Sequence, residues 1–329
     1  MNEFKNLTSR EAAEILLTLK NPVVIMHARP DGDTAGSASA LIKILRKLGI
    51  EAEYASSDKL SERLAFLLCK ERQAEALDGR ELIAIDVASP AQLGSLAEYK
   101  DKIILTIDHH RVNTPFSDNL TLADASSAGE ALFSVLSELI AMKKCNLDAE
   151  IAYPLYAAIS SDTGGFLFSS ASANTYRLAA ELIETGIDFA DINHKLFHSK
   201  SREQLKAEGF ISSKIETDLD GKLAYATLSK SQRESLDLKN EHFETAIDII
   251  RSLSLAEIAI FVRENDDGSI KASLRSTGFN VASIAESFGG GGHIRAAGCT
   301  VKAASADEGA KLIIDTIKKQ TEKRGQEHD

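Results

Sequence analysis

The segment HARPDGDTAG at residues 27–36 places one imidazole and two carboxylates, those of His27, Asp31 and Asp33, within seven positions. It directly follows the apolar run PVVIM, which is typical of a strand buried on both faces. Like charges so close together repel one another and raise each other's pKa unless a cation lies between them. The segment therefore predicts a site for a positively charged ligand at the end of a strand.

Three further acidic positions occur at comparable places in the sequence. Asp86 ends the apolar run ELIAID, Asp108 ends KIILTID, and Asp162 lies where a predicted helix over 146–166 runs into a glycine loop. Taken alone, each aspartate is more typical of a turn or a helix cap. Because ligands of open α/β sheets bind at the carboxyl ends of the strands, we expect all these side chains to share one rim. With His109 and His110 after Asp108, that rim holds five carboxylates and three imidazoles, and so much negative charge requires cations.

The donor types indicate which cation fits. Structural zinc sites prefer thiolates, which do not accompany these residues, and calcium prefers oxygen ligands without imidazoles. Mixed carboxylate and imidazole ligands favour manganese, with iron, cobalt, zinc and magnesium as alternatives. The donors exceed what one ion needs, so we predict two ions roughly 3.5–4 Å apart. Such a pair supplies hydroxide at neutral pH and holds the attacking and leaving oxygens of a phosphoryl group.

Alternating strands and helices must position this rim. Helical periodicity in TAGSASALIKILRKLG and SSAGEALFSVLSELIAM, together with the strands above, predicts a doubly wound, mostly parallel α/β domain over residues 1–194. Ser127 and Glu130 have the spacing of a capping box at the start of the second helix. Residues 195–214 are predicted to form a polar helical linker. Strand-like runs with a helix among them predict a smaller α+β domain over residues 215–329.

Composition and charge limit the classes of function. The chain has 329 residues, of which 43% are hydrophobic, and a formal net charge of −11. An acidic chain is a poor binder of long nucleic acid, which needs an extended basic face, but a metal can still attract a small anion. The three cysteines match no zinc or disulfide spacing, and the sequence contains neither a signal peptide nor an apolar run long enough to span a membrane. We therefore expect a cytoplasmic protein.

The motifs resemble those of a known family. HARPDGDTAGS, IAID, DHH and SDTGG, in this order, are similar to the motifs of the DHH phosphoesterase superfamily, and RSTGFNVASIAESFGGGGHIRAAG resembles the glycine-rich motif of its associated C-terminal domain. The length and layout look like those of the bifunctional oligoribonuclease and 3′,5′-bisphosphate nucleotide (pAp) phosphatases, or nanoRNases. The resemblance implies hydrolysis of short oligoribonucleotides (nanoRNA) to mononucleotides and removal of the 3′-phosphate of pAp.

Carried over by position, the family pattern implies a role for each residue of the rim. Asp108 would hold an imidazole in one tautomer, and His110 would face the scissile phosphate. The two ions would be Mn²⁺, with Mg²⁺ or Co²⁺ as alternatives, and Asp86 would bridge them. The implied ligands of the first ion are His27, Asp31 and Asp86, and those of the second ion are Asp33, Asp86, His109 and Asp162.

In the second domain, the resemblance implies contacts to the substrate. Four consecutive glycines at 289–292 leave backbone N–H groups free to bind an anion, although such a run alone is more typical of a flexible turn. Arg275 and Ser276, at the end of the predicted strand SIKASLRS, would add donors for a terminal phosphate. The predicted substrate-binding residues are Arg275, Ser276, Gly290, Gly291, Gly292 and His293.

Two other functions stay open on the sequence alone. Hydrolysis of a cyclic or linear dinucleotide of the c-di-AMP type needs the same metals and the same anion-binding loop. A non-catalytic nucleotide-binding regulator would keep the motifs without turnover, but the intact ligand positions argue against it. We expect a short single-stranded RNA or a mononucleotide bisphosphate as substrate, no long duplex and no membrane partner, with a homodimer as one oligomeric state that the sequence leaves open.

Overall fold

The structure, a computed structural model, describes residues 4–326 and the side chains of residues 4–321. It divides into two units, the first ending at Ser199 and the second beginning at Lys200. The predicted bounds of the two domains and of the linker at 195–214 stay predictions. Within that range, Arg202–Ser213 is a helix whose Ala207 and Ile211 are buried in a core of the second unit.

Strands and helices alternate through the first unit, as the sequence predicts. Short 3-10 segments occur at Glu62–Leu64 and Pro90–Lys102, and a π-helical turn at His194–His198. In chain order the other elements are α1 (Ser9–Leu16), β1 (Pro22–Met26), α2 (Gly32–Lys47), β2 (Glu53–Ala55), α3 (Ala65–Leu68), β3 (Glu81–Ile85), β4 (Ile103–Asp108), β5 (Asn119–Thr121), α4 (Ala128–Ala141), α5 (Ala149–Asp162), α6 (Ala173–Glu184) and α7 (Phe189–Asn193).

The five strands described in this unit form one parallel sheet in the order β2–β1–β3–β4–β5. Strand β1 is buried on both faces: Val24 and Met26 pack into the core that contains α2, α4 and α5, and Val23 and Ile25 into a second core on the other face. Successive side chains of a strand point to opposite faces, which explains the continuous apolar run in the sequence. The predicted doubly wound α/β fold is confirmed.

Helices α2 and α5 pack unusually closely. A Cβ atom at Gly36 would lie 2.6 Å from the carbonyl oxygen of Pro154 and 2.9 Å from the nitrogen of Ala158, and one at Gly32 would collide with Ser161. The two glycines therefore permit an antiparallel contact in which the start of α2 lies beside the end of α5. This contact brings the HARPDGD segment next to Asp162.

Of the two hydrogen bonds of the capping box predicted at the start of α4, one forms and the other does not. Ser127 does cap the helix, since its Oγ accepts a hydrogen bond from the Glu130 N–H at 3.0 Å. The Glu130 carboxylate, however, accepts from the N–H and the hydroxyl of Ser126, at 2.9 and 2.7 Å, rather than from the N–H of Ser127. It also accepts from Asn174 and Thr175 at the start of α6, so it ties two helix ends together instead of closing one cap.

The second unit has the α+β architecture that the sequence predicts. Its sheet runs β10–β11–β9–β8–β7–β6, with β7 and β8 parallel and the other neighbours antiparallel. Helices α11 and α12 cover one face, and α8 and α10 cover the other. In chain order the elements are α8 (Arg202–Ser213), β6 (Glu216–Asp218), β7 (Leu223–Leu228), α9 (Lys230–Ser235), α10 (Ala246–Arg251), β8 (Ile258–Glu264), β9 (Ile270–Ser276), α11 (Val281–Ser287), β10 (Gly291–His293), β11 (Ala296–Val301) and α12 (Ala306–Gln326).

Across residues 4–326, no helix is both long enough and apolar enough to cross a bilayer.

Candidate metal centre

The strand order of the first sheet reverses between β1 and β3, and the polar rim begins there. His27 follows β1 and Asp86 follows β3, and Nε2 of His27 lies 3.5 Å from Oδ2 of Asp86. Asp31, the N-cap of α2, places its Oδ1 at 3.8 Å from the same nitrogen. Crevices at such reversal points are where ligands of open α/β sheets bind, so the topology alone singles out this place.

Asp86 is held in an unusual conformation. Its φ of +59° lies in the left-handed region, which residues other than glycine rarely adopt. Thr34 donates a hydrogen bond to Oδ2 at 2.5 Å, whereas Oδ1 is buried and has no hydrogen-bond partner among the described residues. A buried carboxylate oxygen without a partner is costly unless a cation binds it.

Asp33 is fully buried and fixed at the start of α4. Its carboxylate accepts hydrogen bonds from the N–H groups of Ala128 and Gly129, at 2.7 and 3.0 Å, and from the hydroxyl of Ser37 at 3.0 Å. The amino terminus of a helix carries partial positive charge and N–H groups that lack acceptors within the helix, so it stabilises a carboxylate. This arrangement orients Asp33 but does not neutralise the rim.

The end of β4 supplies the two adjacent histidines. Oδ1 of Asp108 lies 2.7 Å from Nδ1 of His110, which fixes that imidazole. Oδ2 of Asp108 is buried and lacks a hydrogen-bond partner within residues 4–321. The ring of His109 lies beside that of His110, with centroids 4.7 Å apart, but its Nε2 points into the rim.

His109 stands at the centre of the acidic residues. Its Nε2 lies 3.4 Å from Oδ2 of Asp162, the last residue of α5. The same nitrogen lies 3.6 Å from Oδ1 of Asp86 and 3.7 Å from Oδ2 of Asp33. One imidazole thus contacts carboxylates from three different elements, the arrangement expected of ligands that surround a common ion.

The protein alone balances the charge of this rim by retaining protons. Burial raises the pKa of Asp162 to about 8, helped by the charge of Asp86, and raises that of Asp33 well above its usual range. Burial would lower the pKa of His27, but contacts with Asp31 and Asp86 outweigh it and raise the value to about 10.

His110 follows the same trend for a different reason. Its hydrogen bond with Asp108 raises the pKa of the imidazole to about 9, more than burial lowers it. Burial would raise the pKa of Asp108, but the hydrogen bond and the charge of His110 bring it below its usual value. Divalent cations can replace the protons held by such groups, because metal binding releases protons from its ligands.

Three overlapping sets of residues can each hold an ion. Within each set, one ligand atom per residue lies within 4.8 Å of the others. The donors are imidazole nitrogens and carboxylate oxygens. The rim includes Oδ1 of Asp86, which has no hydrogen-bond partner among the described residues. The chemistry of the site therefore fits divalent metal ions. The sets are His27, Asp31 and Asp86; Asp33, His109 and Asp162; and Asp86, His109 and His110.

Comparison with known proteins agrees with this geometry. The model of the "DHH family, N-terminal domain" matches residues 21–159, and that of the "DHHA1 domain" matches residues 220–319. The chain therefore contains a DHH domain and a DHHA1 domain. These matches confirm the prediction made from the motifs and, with the relatives, make the chain a phosphoester hydrolase.

Similar proteins span nearly the whole DHH chain. A "Bifunctional oligoribonuclease and PAP phosphatase NrnA" from Thermus thermophilus is 29% identical, with 96% of this chain and 95% of the relative aligned. The crystal structure of an exopolyphosphatase-related protein from Bacteroides fragilis superposes with a TM-score of 0.87 at 22% identity, covering 94% of this chain and 96% of that one. RecJ from Thermus thermophilus, solved in complex with Mn²⁺, gives a TM-score of 0.55 at 15% identity over 95% of this chain and 55% of RecJ. Both structures share the fold.

In the DHHA1 unit, the predicted substrate residues lie around the end of β9. Arg275 pairs with Ala296 of β11, and its guanidinium contacts the carbonyl of Leu274 at 3.0 Å. Ser276 is buried, and its hydroxyl donates to the carbonyl of Phe279, so it stabilises a turn. The glycine run is partly an edge strand: Gly291 and His293 belong to β10, which pairs with β11.

The glycines of that run also have a packing role. A Cβ atom at Gly292 would lie 2.5 Å from the carbonyl oxygen of Ala296, and its φ is +143°. The run therefore combines close packing on β11 with an exposed outer side. The structure brings the predicted substrate residues Arg275, Ser276, Gly290, Gly291, Gly292 and His293 to one end of this sheet.

Several groups of the metal centre escape sequence reasoning. Thr34, which donates to Asp86, lies inside the quoted motif but carries no metal-ligand signature. The N–H groups of Ala128 and Gly129 are backbone atoms, so residue types do not reveal them. The only signal for them is the helix start SSAGE, which marks N–H groups that lack acceptors within the helix but does not name the acceptor.

Proposed function

We propose that this chain is a metal-dependent phosphoesterase that hydrolyses short oligoribonucleotides to mononucleotides and removes the 3′-phosphate of pAp. One observation carries the proposal: seven potential ligand residues converge where the strand order reverses, around a buried carboxylate oxygen of Asp86 that has no hydrogen-bond partner among the described residues. Relatives described as bifunctional oligoribonuclease and PAP phosphatase support this substrate class.

The arrangement supports the following ligands. One ion would be held by His27, Asp31 and Asp86, and a second by Asp33, Asp86, His109 and Asp162, with Asp86 shared. When bound, the ions would supply a strong nucleophile at neutral pH and stabilise negative charge on phosphate oxygens. Mixed imidazole and carboxylate donors favour Mn²⁺, with Mg²⁺ or Co²⁺ as alternatives; RecJ is named in complex with Mn²⁺ and also with Mg²⁺.

Other residues of the rim bind the phosphate or hold the metal ligands in position. Asp108 holds Nδ1 of His110 at 2.7 Å, so Nε2 of that ring is the nitrogen that can donate to a non-bridging phosphate oxygen. Thr34 and the start of α4 keep Asp86 and Asp33 in fixed orientations, which lowers the cost of assembling the site around its substrate.

The choice of substrate follows from size and charge. A chain with a net charge of −11 is a poor binder of a long duplex, which needs an extended basic face, whereas a short single strand or pAp presents few phosphates. We assign its terminal phosphate to Arg275, Ser276, the glycines 290–292 and His293 of the DHHA1 unit, and we place the protein in the cytoplasm, where such fragments arise.

Hydrolysis assays test the proposal directly. Metal-stripped protein is incubated with an RNA 3-mer, an RNA 24-mer, pAp or cyclic di-AMP, each with and without Mn²⁺. We expect Mn²⁺-dependent loss of the 3-mer and pAp, slow loss of the 24-mer, and no turnover by Asp86→Ala. Asp78→Ala, which removes an exposed aspartate paired with Lys102, is the matched control and should keep full activity.

Other outcomes would change the assignment. Preference for cyclic di-AMP would replace the substrate class while leaving the metal ligands standing. Binding of Mn²⁺ without turnover of any of these substrates would refute the proposal and leave a nucleotide-binding regulator.

A further inference from the structure

The loop at 164–168, directly after Asp162, folds back on the end of α5. The N–H groups of Leu167 and Phe168 donate to the carbonyl of Thr163 at 2.9 and 3.0 Å, and that of Phe166 donates to the Thr163 hydroxyl at 3.1 Å. These bonds hold residues 166–168 against Thr163, the residue that follows the proposed metal ligand Asp162.

The backbone of this loop is strained at one residue that is not glycine. Gly164, Gly165 and Phe166 all have positive φ, of +58°, +68° and +67°. Glycine adopts this region freely, but a phenylalanine does not. Strained residues of this kind concentrate at functional sites, where the conformation presents a side chain. The strained backbone of Phe166 therefore favours a binding role for this loop.

An ordered apolar surface results from the fold of the loop. The rings of Phe166 and Tyr176 lie with centroids 5.5 Å apart at 37°, and the Tyr176 hydroxyl donates to the Phe166 carbonyl at 3.0 Å. The ring of Phe168 lies against Gly164, where a Cβ would come within 2.8 Å of it. Nevertheless Leu167 is 86% exposed, Tyr176 54% and Phe168 46%.

We propose that Leu167, Phe168 and Tyr176 form an apolar platform that holds the base of the nucleotide whose phosphate lies at Asp162. Phe168 and Tyr176 are partly exposed, and the backbone of Phe168 is bonded to Thr163, the residue that follows Asp162. Single-stranded nucleic acids bind by stacking their bases on such rings, and stacking accepts any base because each has a π-face. The inference rests on the proposed function and extends it from phosphate to base.

The test compares substrates that differ only in the base. Three proteins are assayed with Mn²⁺: wild type, the double variant Leu167→Ser/Tyr176→Ala, and the control Phe4→Ala. The two substrates are an adenine RNA trimer and the same trimer with an abasic spacer at the cleaved nucleotide. For the double variant we expect KM for the adenine trimer to rise about tenfold, with KM for the abasic trimer unchanged. Phe4 is 40% exposed and lies near the start of β5, so Phe4→Ala should behave as wild type.

A further variant separates stacking from structure. Tyr176→Phe keeps the ring and loses the hydrogen bond to Phe166, so it should retain the wild-type KM for the adenine trimer. Equal KM changes on both trimers would overturn the platform, because a distorted metal centre affects them alike. Wild type that hydrolyses neither trimer would instead refute the proposed function, so the two failures are distinguishable.

Discussion

Asp86 combines three features that each cost stability: a left-handed backbone, burial, and a carboxylate oxygen that has no hydrogen-bond partner among the described residues. Such a residue persists when the rest of the structure compensates, and the compensation serves a function. The proposed shared ligand would turn all three costs into a preorganised position for metal. A variant at this residue should therefore separate stability from binding.

We predict that Asp86→Asn weakens Mn²⁺ binding by about 100-fold or more, since losing partners outside the coordination sphere already costs roughly 10–100-fold. Asparagine tolerates the left-handed conformation and can still accept from Thr34. The metal-free variant should therefore stay folded, because asparagine at this position keeps the backbone conformation and the contact with Thr34. Calorimetric titration and thermal melts of stripped protein measure both effects, and a variant that unfolds without metal would contradict this account.

At the scale of elements, the start of α4 links the metal centre to α6. Its first N–H groups hold Asp33, and Glu130 holds Ser126, Asn174 and Thr175. Glu130 is buried and satisfies four donors, one of them the Ser126 hydroxyl at 2.7 Å. The helix start thus depends on a carboxylate that contacts none of the proposed ions.

We expect Glu130→Gln to lower the free energy of unfolding by about 2 kcal/mol, because the amide turns a donor toward other buried donors. Mn²⁺ affinity should fall several-fold, since Asp33 loses its fixed orientation. Denaturant melts and Mn²⁺ titration of the same preparation give both values. Glu138→Gln, on the same helix but at the surface near Arg10, should change neither. Unchanged Mn²⁺ affinity in Glu130→Gln would show that Asp33 is held without this network.

The contact between α2 and α5 makes a second prediction at this scale. Gly36→Ala should destabilise the first unit by about 1–3 kcal/mol, because its Cβ meets backbone atoms of Pro154 and Ala158 that cannot move aside. Gly209→Ala in α8 is the matched control: its Cβ meets open space, so better helix propensity should stabilise by about 0.5–1 kcal/mol. Chemical denaturation of each variant measures the signs, and equal signs would contradict the close packing.

These elements also show what the sequence could predict. Continuous apolar runs identify β1, β3 and β4, and amphipathic periods identify α2 and α4, because both patterns reflect burial directly. The family motifs then name the residues of the rim. The capping-box spacing predicts the wrong partner for the Glu130 carboxylate. This carboxylate bonds Ser126 instead of Ser127 because it also bonds Asn174 of α6, which lies 44 residues further along the chain. Likewise, the left-handed Asp86 depends on tertiary packing that no local pattern encodes.

At the scale of the whole molecule, a net charge of −11 surrounds a rim that is itself acidic. The net negative charge of the chain disfavours further negative charge in the rim, as burial and the neighbouring carboxylates also do. Both effects favour retention of protons by the rim when no metal is bound. The folded chain consequently binds protons that the unfolded chain releases. Its stability must then depend on pH with a definite sign.

We predict that the metal-free protein becomes less stable as pH rises from about 6 to 10. The folded-state pKa values of Asp162, His110 and His27, about 8, 9 and 10, all lie above their unfolded values, so the folded state binds more protons in this window. Near pH 8, stability should fall by about 1.4 kcal/mol per pH unit for each proton that the folded state retains and the unfolded state does not. Saturating Mn²⁺ should flatten or reverse the slope, because deprotonated ligands bind it better. Denaturant melts across pH measure this, and Asp162→Asn should show a shallower slope; a metal-free slope of zero would mean that these groups do not retain their protons.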